Sequence, residues 1–319
     1  MTTETTSRTA TGATGPSAAK VRRRMSRTRR DNLRWGLIFC SPAIVGLLVF
    51  TLYPVLRSLQ QSFTSSTMMT PGRWLGLGNY RDLVGDASFW QSLGNTLYIL
   101  VWSVPLGIVM AMILALLLNL RVKGRSVYRV IFFLPSIVPL VASAVVWSYV
   151  FNPQYGILNS MLATVGIEGP SWLSDPLWAK PALIIVAVWG VGGLMVILLA
   201  GVQDVPAQLY EQAKIDGAGP LARFRNVTLP FMSPHLLFAL VTGLIAGFQY
   251  FTEVFVFTSG SGSPAGSTLV AGLYLYQNAF SYFKIGYASA MAWVLFVLAA
   301  ASAVLVFRTI GRRVYYGGS

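Results

Sequence analysis

Few side chains in this chain could do covalent chemistry. Gly260-Ser261-Gly262 superficially offers a serine nucleophile of the intramembrane-protease kind, and His235, the single histidine, could serve as its base. The hydropathy pattern puts His235 at the start of an apolar helix and Ser261 past its far end, 26 residues on. At about 1.5 Å per helical residue the two are about 40 Å apart, far outside proton-transfer reach. The single cysteine, Cys40, lies in an apolar run, so neither a disulfide framework nor a thiolate metal site is available. No Gly-x-x-x-x-Gly-Lys-Ser/Thr loop occurs, so the chain cannot cradle ATP phosphates by that route.

The remaining polar chemistry sits in two unusual places. One is Gln249, Tyr250 and Glu253, inside an apolar stretch. Gln249 and Glu253 are four apart and would share a helix face with Thr242 and Ala246. Glu253 is the only acidic residue placed within a span, and buried ionisable groups in a membrane face the bundle interior or a cavity. With Tyr250, Trp147 and Trp189 as aromatic walls, these amide and carboxylate groups would suit a ligand rich in hydroxyls. An equally open reading puts Glu253 at an interface, reaching water, with the aromatics as belt or packing residues. The other place is the mixed-charge segment "YEQAKIDGAGPLARFRNVTLP", residues 210–230.

Both are carried by elements that the composition makes membrane-embedded. Apolar residues make up 55% of the chain and charged ones 11%, against about 25% charged in soluble domains. A spanning helix needs roughly 20 apolar residues, and six stretches qualify, near 35–56, 96–118, 130–151, 181–202, 236–257 and 286–307. Six crossings return both termini to one side. With the amino terminus inside, nineteen Lys/Arg lie in inside segments and five outside, which makes that side cytoplasmic.

Half of the net charge of +14 comes from residues 1–34, where nine Lys/Arg face Glu4 and Asp31. That tail is too polar to bury a core, is expected to be disordered, and suits topology rather than nucleic-acid binding. The external segments 57–92 and 152–180 are rich in Trp, Gly and Pro, as interfacial anchors and turns would be. No internal repeat suggests a self-sufficient two-half transporter.

Between the fourth and fifth spans, Asp204 can cap a helix starting at Pro206, with Gly217 at a left-handed stop. Val205, Leu209 and Ala213 share one face, whereas Glu211 and Lys214 lie elsewhere. Pro220 can open a second short helix with Leu221, Phe224 and Val227 as its apolar side, stopped by "TLP" at 228–230. An interfacial connector lying on lipid would account for such a segment. Its narrow, small-residue face and its mixed charge favour docking to another protein.

Glu211-Gln212-Ala213, Asp216-Gly217-Ala218 and Leu229-Pro230 resemble the EAA motif of binding-protein-dependent ABC importer permeases of the maltose and glycerol-phosphate type. "LYPVLRSLQQSF", "GNTLYIL", "RVIFFLPSIVPLVASAVVW", "NPQYGILN" and "GYASAMAWVLF" resemble segments of the same family in the same order. Gln212 replaces the usual alanine, and "TSGSGSP" at 258–264 departs from the family's threonine then Gly-Gly-Pro pattern.

The resemblance implies an all-α fold of six transmembrane helices with a cytoplasmic helix-turn-helix coupling loop. It implies a basic tail (1–34), a first transmembrane helix and external segment (35–92), a core permease domain (93–310) and a cytoplasmic tail (311–319). Glu211, Ala213, Asp216 and Gly217 would be coupling residues, with Leu229-Pro230 closing the loop, and Gln249, Tyr250 and Glu253 would line the substrate path. The implied function is the permease subunit of an ATP-driven sugar importer in a bacterial inner membrane, not an enzyme. Implied partners are a second permease, a cytoplasmic ATPase dimer holding ATP and Mg, an extracytoplasmic solute-binding protein, a carbohydrate and membrane lipid. An ATPase-independent channel, carrier or scaffold is the alternative.

Overall fold

The computed structural model describes residues 27–120 and 123–315. One compact unit ends at Val55 and a second begins at Leu56. The first holds α1 (Arg27–Leu47) and a π-turn, Leu48–Leu52. Residues 27–34, expected in the disordered tail, form the opening turns of α1, since arginine is a strong helix former. The rest of that tail, 1–26, and the last four residues of the chain lie outside the described residues.

After α2 (Tyr53–Ser62) the chain makes a loop closed by one isolated bridge, Thr64 to Trp74. The helices α3 (Gly78–Gly85), α4 (Ala87–Asn119), α5 (Arg125–Phe133), α6 (Leu140–Val150) and α7 (Ile157–Thr164) follow. Next come α8 (Pro176–Trp189), α9 (Gly192–Gln203), α10 (Ala207–Ile215) and α11 (Pro220–Arg223). The chain ends with α12 (Leu229–Phe248), α13 (Thr252–Thr258), α14 (Ala271–Tyr276) and α15 (Ile285–Thr309).

Four segments are long and apolar enough to cross a bilayer: Arg34–Ser62, Ala87–Asn119, Pro220–Thr258 and Ile285–Thr309. The stretches expected at 130–151 and 181–202 are broken helices instead. Arg125–Ser136 meets α6 at a 96° bend, and α8 meets α9 at 48°. The first break falls at Pro139, which has no N–H for the ladder and drives the preceding residue out of helical geometry. The second falls at Gly190, the C-cap of α8.

The stretch expected at 236–257 is likewise interrupted. α12 ends at Phe248, and Phe251 at φ −151° and ψ −53° precedes α13. Gln249 therefore does not continue the helix face of Thr242 and Ala246 to Glu253, because the 3.6-residue period fails across non-helical backbone.

α4 is the mast around which the second unit is assembled. Ala111, Met112, Ala115 and Leu118 of α4 form one core with Met195, Leu198, Leu199 and Val202 of α9 and Met232 of α12. Nearer its amino end, Leu93 and Leu100 pack with Phe248, Ala271 and Met291. In hydrocarbon, helices gain little from excluding apolar surface, so close packing of small residues holds them together. Gly243 and Gly247 of α12, spaced as G-x-x-x-G, face α4: a Cβ at either would lie 2.9 Å from Val104 or 3.0 Å from Leu100. Trp172, expected as an interfacial anchor, is core instead. It is 9% exposed, packs on Phe151, and donates through Nε1 to Asn159 Oδ1 at 2.7 Å.

Replacing Gly243 or Gly247 by leucine should each destabilise the purified protein by about 1–3 kcal/mol through overpacking. Gly219→Ala, at a site with nothing within 4 Å, should cost little. Thermal unfolding in detergent compares the three; equal midpoints would refute the α4–α12 packing role.

Candidate functional site

The segment between α9 and α12 is a helical hairpin. Asp204, expected to cap α10, instead terminates α9, and Pro206 holds the N-cap of α10 with no side-chain hydrogen bond. A proline there sacrifices no N–H, and its φ of −59° with ψ 128° redirects the chain. At the other end of α10 the expected stop is present. Gly217 has φ +75°, its N–H reaches Lys214 O at 3.1 Å, and Ala218 N–H reaches Ala213 O at 2.8 Å. These are the paired bonds of a Schellman ending.

Leu229-Pro230 does not close the loop. The chain stays helical from Pro220, through a π-turn at Phe224–Thr228, into α12. The Leu229 N–H bonds to Phe224 O, five residues back, and this widened turn accommodates the proline ring and its missing donor. Ser233 Oγ donates to Pro230 O at 2.6 Å. Tyr210 and Thr228 hydroxyls, 2.9 Å apart, fasten α10 to the π-turn, with Thr228 only 4% exposed.

Glu211, Asp216 and Gly217 are exposed and Ala213 is half-buried. Two residues without an assigned role stand out beside the turn: Ile215 is 86% exposed and Leu221 78%. Leu221, expected on the apolar side of the second short helix, is not buried by it. Ile215 had a legible signal, an aliphatic side chain off the Val205–Leu209–Ala213 face.

The helix break leaves the polar residues of the fifth span in different surroundings. Gln249 is exposed, Glu253 is 9% exposed in the first turn of α13, and the Tyr250 hydroxyl is buried without a hydrogen-bond partner among the described residues. Trp147 and Trp189 pack edge to face, centroids 5.6 Å apart, and Trp147 also stacks on Phe151. Trp147 packs on the Phe151–Trp172 cluster and Trp189 is exposed, whereas Tyr250 belongs to the Val254–Leu273 cluster. The "TSGSGSP" loop is held by Gln277 Nε2 on Gly260 O at 2.7 Å and Asn95 Nδ2 on Gly266 O at 2.8 Å.

A second polar node lies at the amino end of α4. Asp86 accepts the Ser88 N–H at 2.9 Å, capping α4, and both Tyr274 and Tyr287 hydroxyls at 2.6 Å. Burial pushes the Asp86 carboxyl up, but the two tyrosines and the Phe89 and Ser88 N–H groups outweigh it, holding Asp86 below its ordinary range. Burial, then the bond to Asp86, pushes Tyr274 up.

Apolar crossings, some broken within the bilayer, with one polar helical hairpin between the fourth and fifth, define the ABC importer permease fold. A chain in the crystal structure of a bacterial ABC transporter involved in the import of the acidic polysaccharide alginate has that fold. It superposes at a TM-score of 0.77 with 24% identity, over 90% of this chain and 99% of that one.

Residues 103–316 match the family described as "Binding-protein-dependent transport system inner membrane component", and the chain belongs to it. It is 40% identical to the probable ABC transporter permease protein YesP of Bacillus subtilis, over 95% of this chain and 98% of that protein. It is 39% identical to the lactose transport system permease protein LacF of Rhizobium radiobacter, over 89% and 98%. The protein is a multi-pass inner-membrane permease subunit of an ABC importer, a transport component rather than an enzyme.

Because Asp86 sits below the unfolded value of about 3.9, its stabilisation is present above that pH and is lost as pH falls through the lower folded value. Asp86→Asn should lower the unfolding midpoint at pH 7 and flatten its decline on the acid side. Parallel melting curves for wild type and variant between pH 3 and 7 would contradict this.

Proposed function

We propose that this permease imports a carbohydrate by alternating access, driven by a separate ATPase dimer that holds ATP and Mg and grips the α10–α11 hairpin. The lactose named for the Rhizobium radiobacter relative supports the sugar class. The observation that carries the coupling role is the tip of the hairpin. Ile215 and Leu221 expose large apolar side chains on either side of Gly217, on a hairpin made rigid by the Tyr210–Thr228 bond and the Schellman ending. Burying two such side chains in a partner's cleft would contribute about 1.5–3 kcal/mol each. Glu211, Ala213, Asp216 and Gly217 then form the docking surface, and Leu229 and Pro230 carry its movement into α12.

The excess of Lys/Arg on one side supports a cytoplasmic hairpin and cytoplasmic termini. A second permease completes the pathway, and a solute-binding protein delivers cargo from outside. Gln249, Tyr250 and Glu253 contribute to the path. Broken helices mark transporter sites because non-helical backbone is tolerated in a bilayer only inside protein or beside a water-filled cavity.

A Cβ at Gly217 meets nothing among the described residues within 4 Å, so a substitution there acts through its left-handed backbone or on a partner. Asn and Asp are similar in shape and both tolerate that backbone. In the assembled importer in proteoliposomes, Gly217→Asp should abolish solute-stimulated ATP hydrolysis, and Gly217→Asn should retain much more of it. Ile215→Ala should weaken ATPase association about tenfold or more. Normal stimulated hydrolysis in Gly217→Asp would remove the hairpin from the coupling role.

A further inference from the structure

At the end of the bundle away from the hairpin is a cavity of about 470 Å³, bordered by the loop after α2, α3, α14 and the start of α15. α15 establishes that separation. It begins beside the cavity at Lys284 and Tyr287, runs 25 residues, about 37 Å, and leads to Tyr315, whose N–H bonds to Ser233 Oγ at 2.9 Å near the hairpin's exit.

The cavity has a fixed polar lining. Asn79 and Asn278 border it although they are only 5% and 3% exposed. The Asn79 amide nitrogen donates to Ser62 O and Thr64 O, both at 2.8 Å, and that of Asn278 to Tyr274 O at 2.9 Å. Both amide oxygens are left without a donor among the described residues. Asp82 and Lys284, both exposed, border the same space with no ion pair joining them among the described residues. The tyrosines are locked by Asp86, so the wall is ordered before any ligand arrives.

We infer that this cavity is an outward-facing saccharide site, separate from the helix break in the fifth span, that holds a neutral sugar through Asn79, Asn278, Asp82 and Lys284. A hydroxyl both donates and accepts. Sugar hydroxyls can therefore give hydrogen bonds to two amide oxygens and a carboxylate while taking one from an ammonium. A purely anionic ligand would be repelled by the carboxylates of Asp82 and Asp86, and no group of three His, Cys, Asp or Glu side chains that could hold a metal ion occurs among the described residues. The volume falls in the range of small-molecule sites. The inference rests on the carbohydrate-import reading for its ligand class and on the cytoplasmic hairpin for its outward direction.

The test uses the assembled importer in nanodiscs without its solute-binding protein, probed with glucose, maltose, lactose and trehalose by saturation-transfer NMR and calorimetry. At least one neutral sugar should bind, and Asp82→Asn and Lys284→Gln should each weaken it about tenfold or more, as loss of a hydrogen bond to a charged group does. Both substitutions are at exposed positions, and a melting curve for each checks that it folds. Absence of sugar binding, or binding that both variants leave unchanged, would overturn the site. So would variants that leave sugar binding unchanged but block docking once the solute-binding protein is added back, which would make the cavity a protein contact. Transport assays separate the two readings: a carried sugar with an empty cavity sinks this inference alone, whereas a carried solute that is not a sugar sinks the import reading itself.

Discussion

The structure depends on how closely other helices can approach α4. Within a bilayer, lipid tails are as apolar as leucine, so burial alone gives helices no reason to associate. Contact must come from dense packing. Ala111 and Ala115 on α4 are fully buried, and Gly243 and Gly247 bring the α12 backbone against Val104 and Leu100. Gly201 of α9 similarly admits His235, whose Nδ1 would lie 2.7 Å from an added Cβ. His235 is thus a packing residue between α9 and α12, a role unrelated to the nucleophilic chemistry its solitary presence first suggests.

Once α4 holds its neighbours, the bundle can tolerate breaks that isolated spans could not. Backbone groups freed at Pro139, Gly190 and Gln249–Phe251 must be satisfied inside protein or by water in a cavity. The last of these breaks carries Glu253, a buried residue, and a Tyr250 hydroxyl without a hydrogen-bond partner among the described residues. Polar groups and irregular backbone therefore coincide, as they would where a solute passes. Helical continuity matters equally at the hairpin. Because the π-turn joins α11 to α12 without a loop, the second arm of the hairpin and the fifth span are one continuous helical segment.

Much of this was legible in the sequence. Composition and hydropathy identify a multi-pass helical membrane protein, and the order of the spans is right. Gly217 announces a left-handed helix stop because the required backbone is costly for other residues. Most of the failures in the spans were of one kind. Pro139 and Gly190 were visible, yet neither says whether a span bends or breaks, since that depends on what neighbours can offer the freed backbone groups. Leu229-Pro230 reads locally as a terminator, and only the π-turn before it lets the helix continue. Gln249 and Glu253 were paired by a period that the backbone does not keep.

The sequence by itself determined the elements that follow from local rules: apolar length, charge asymmetry and the left-handed helix stop at Gly217, each set within a few residues. Tertiary structure alone decided the long-range meetings. Asp86 binds Tyr274 from 188 residues away, and Asn95 reaches Gly266 across 171. Asp82, Asn278 and Lys284 likewise meet around one cavity. Such contacts leave no periodic trace in a single chain, because their energy depends on where other helices place each partner rather than on sequence neighbours.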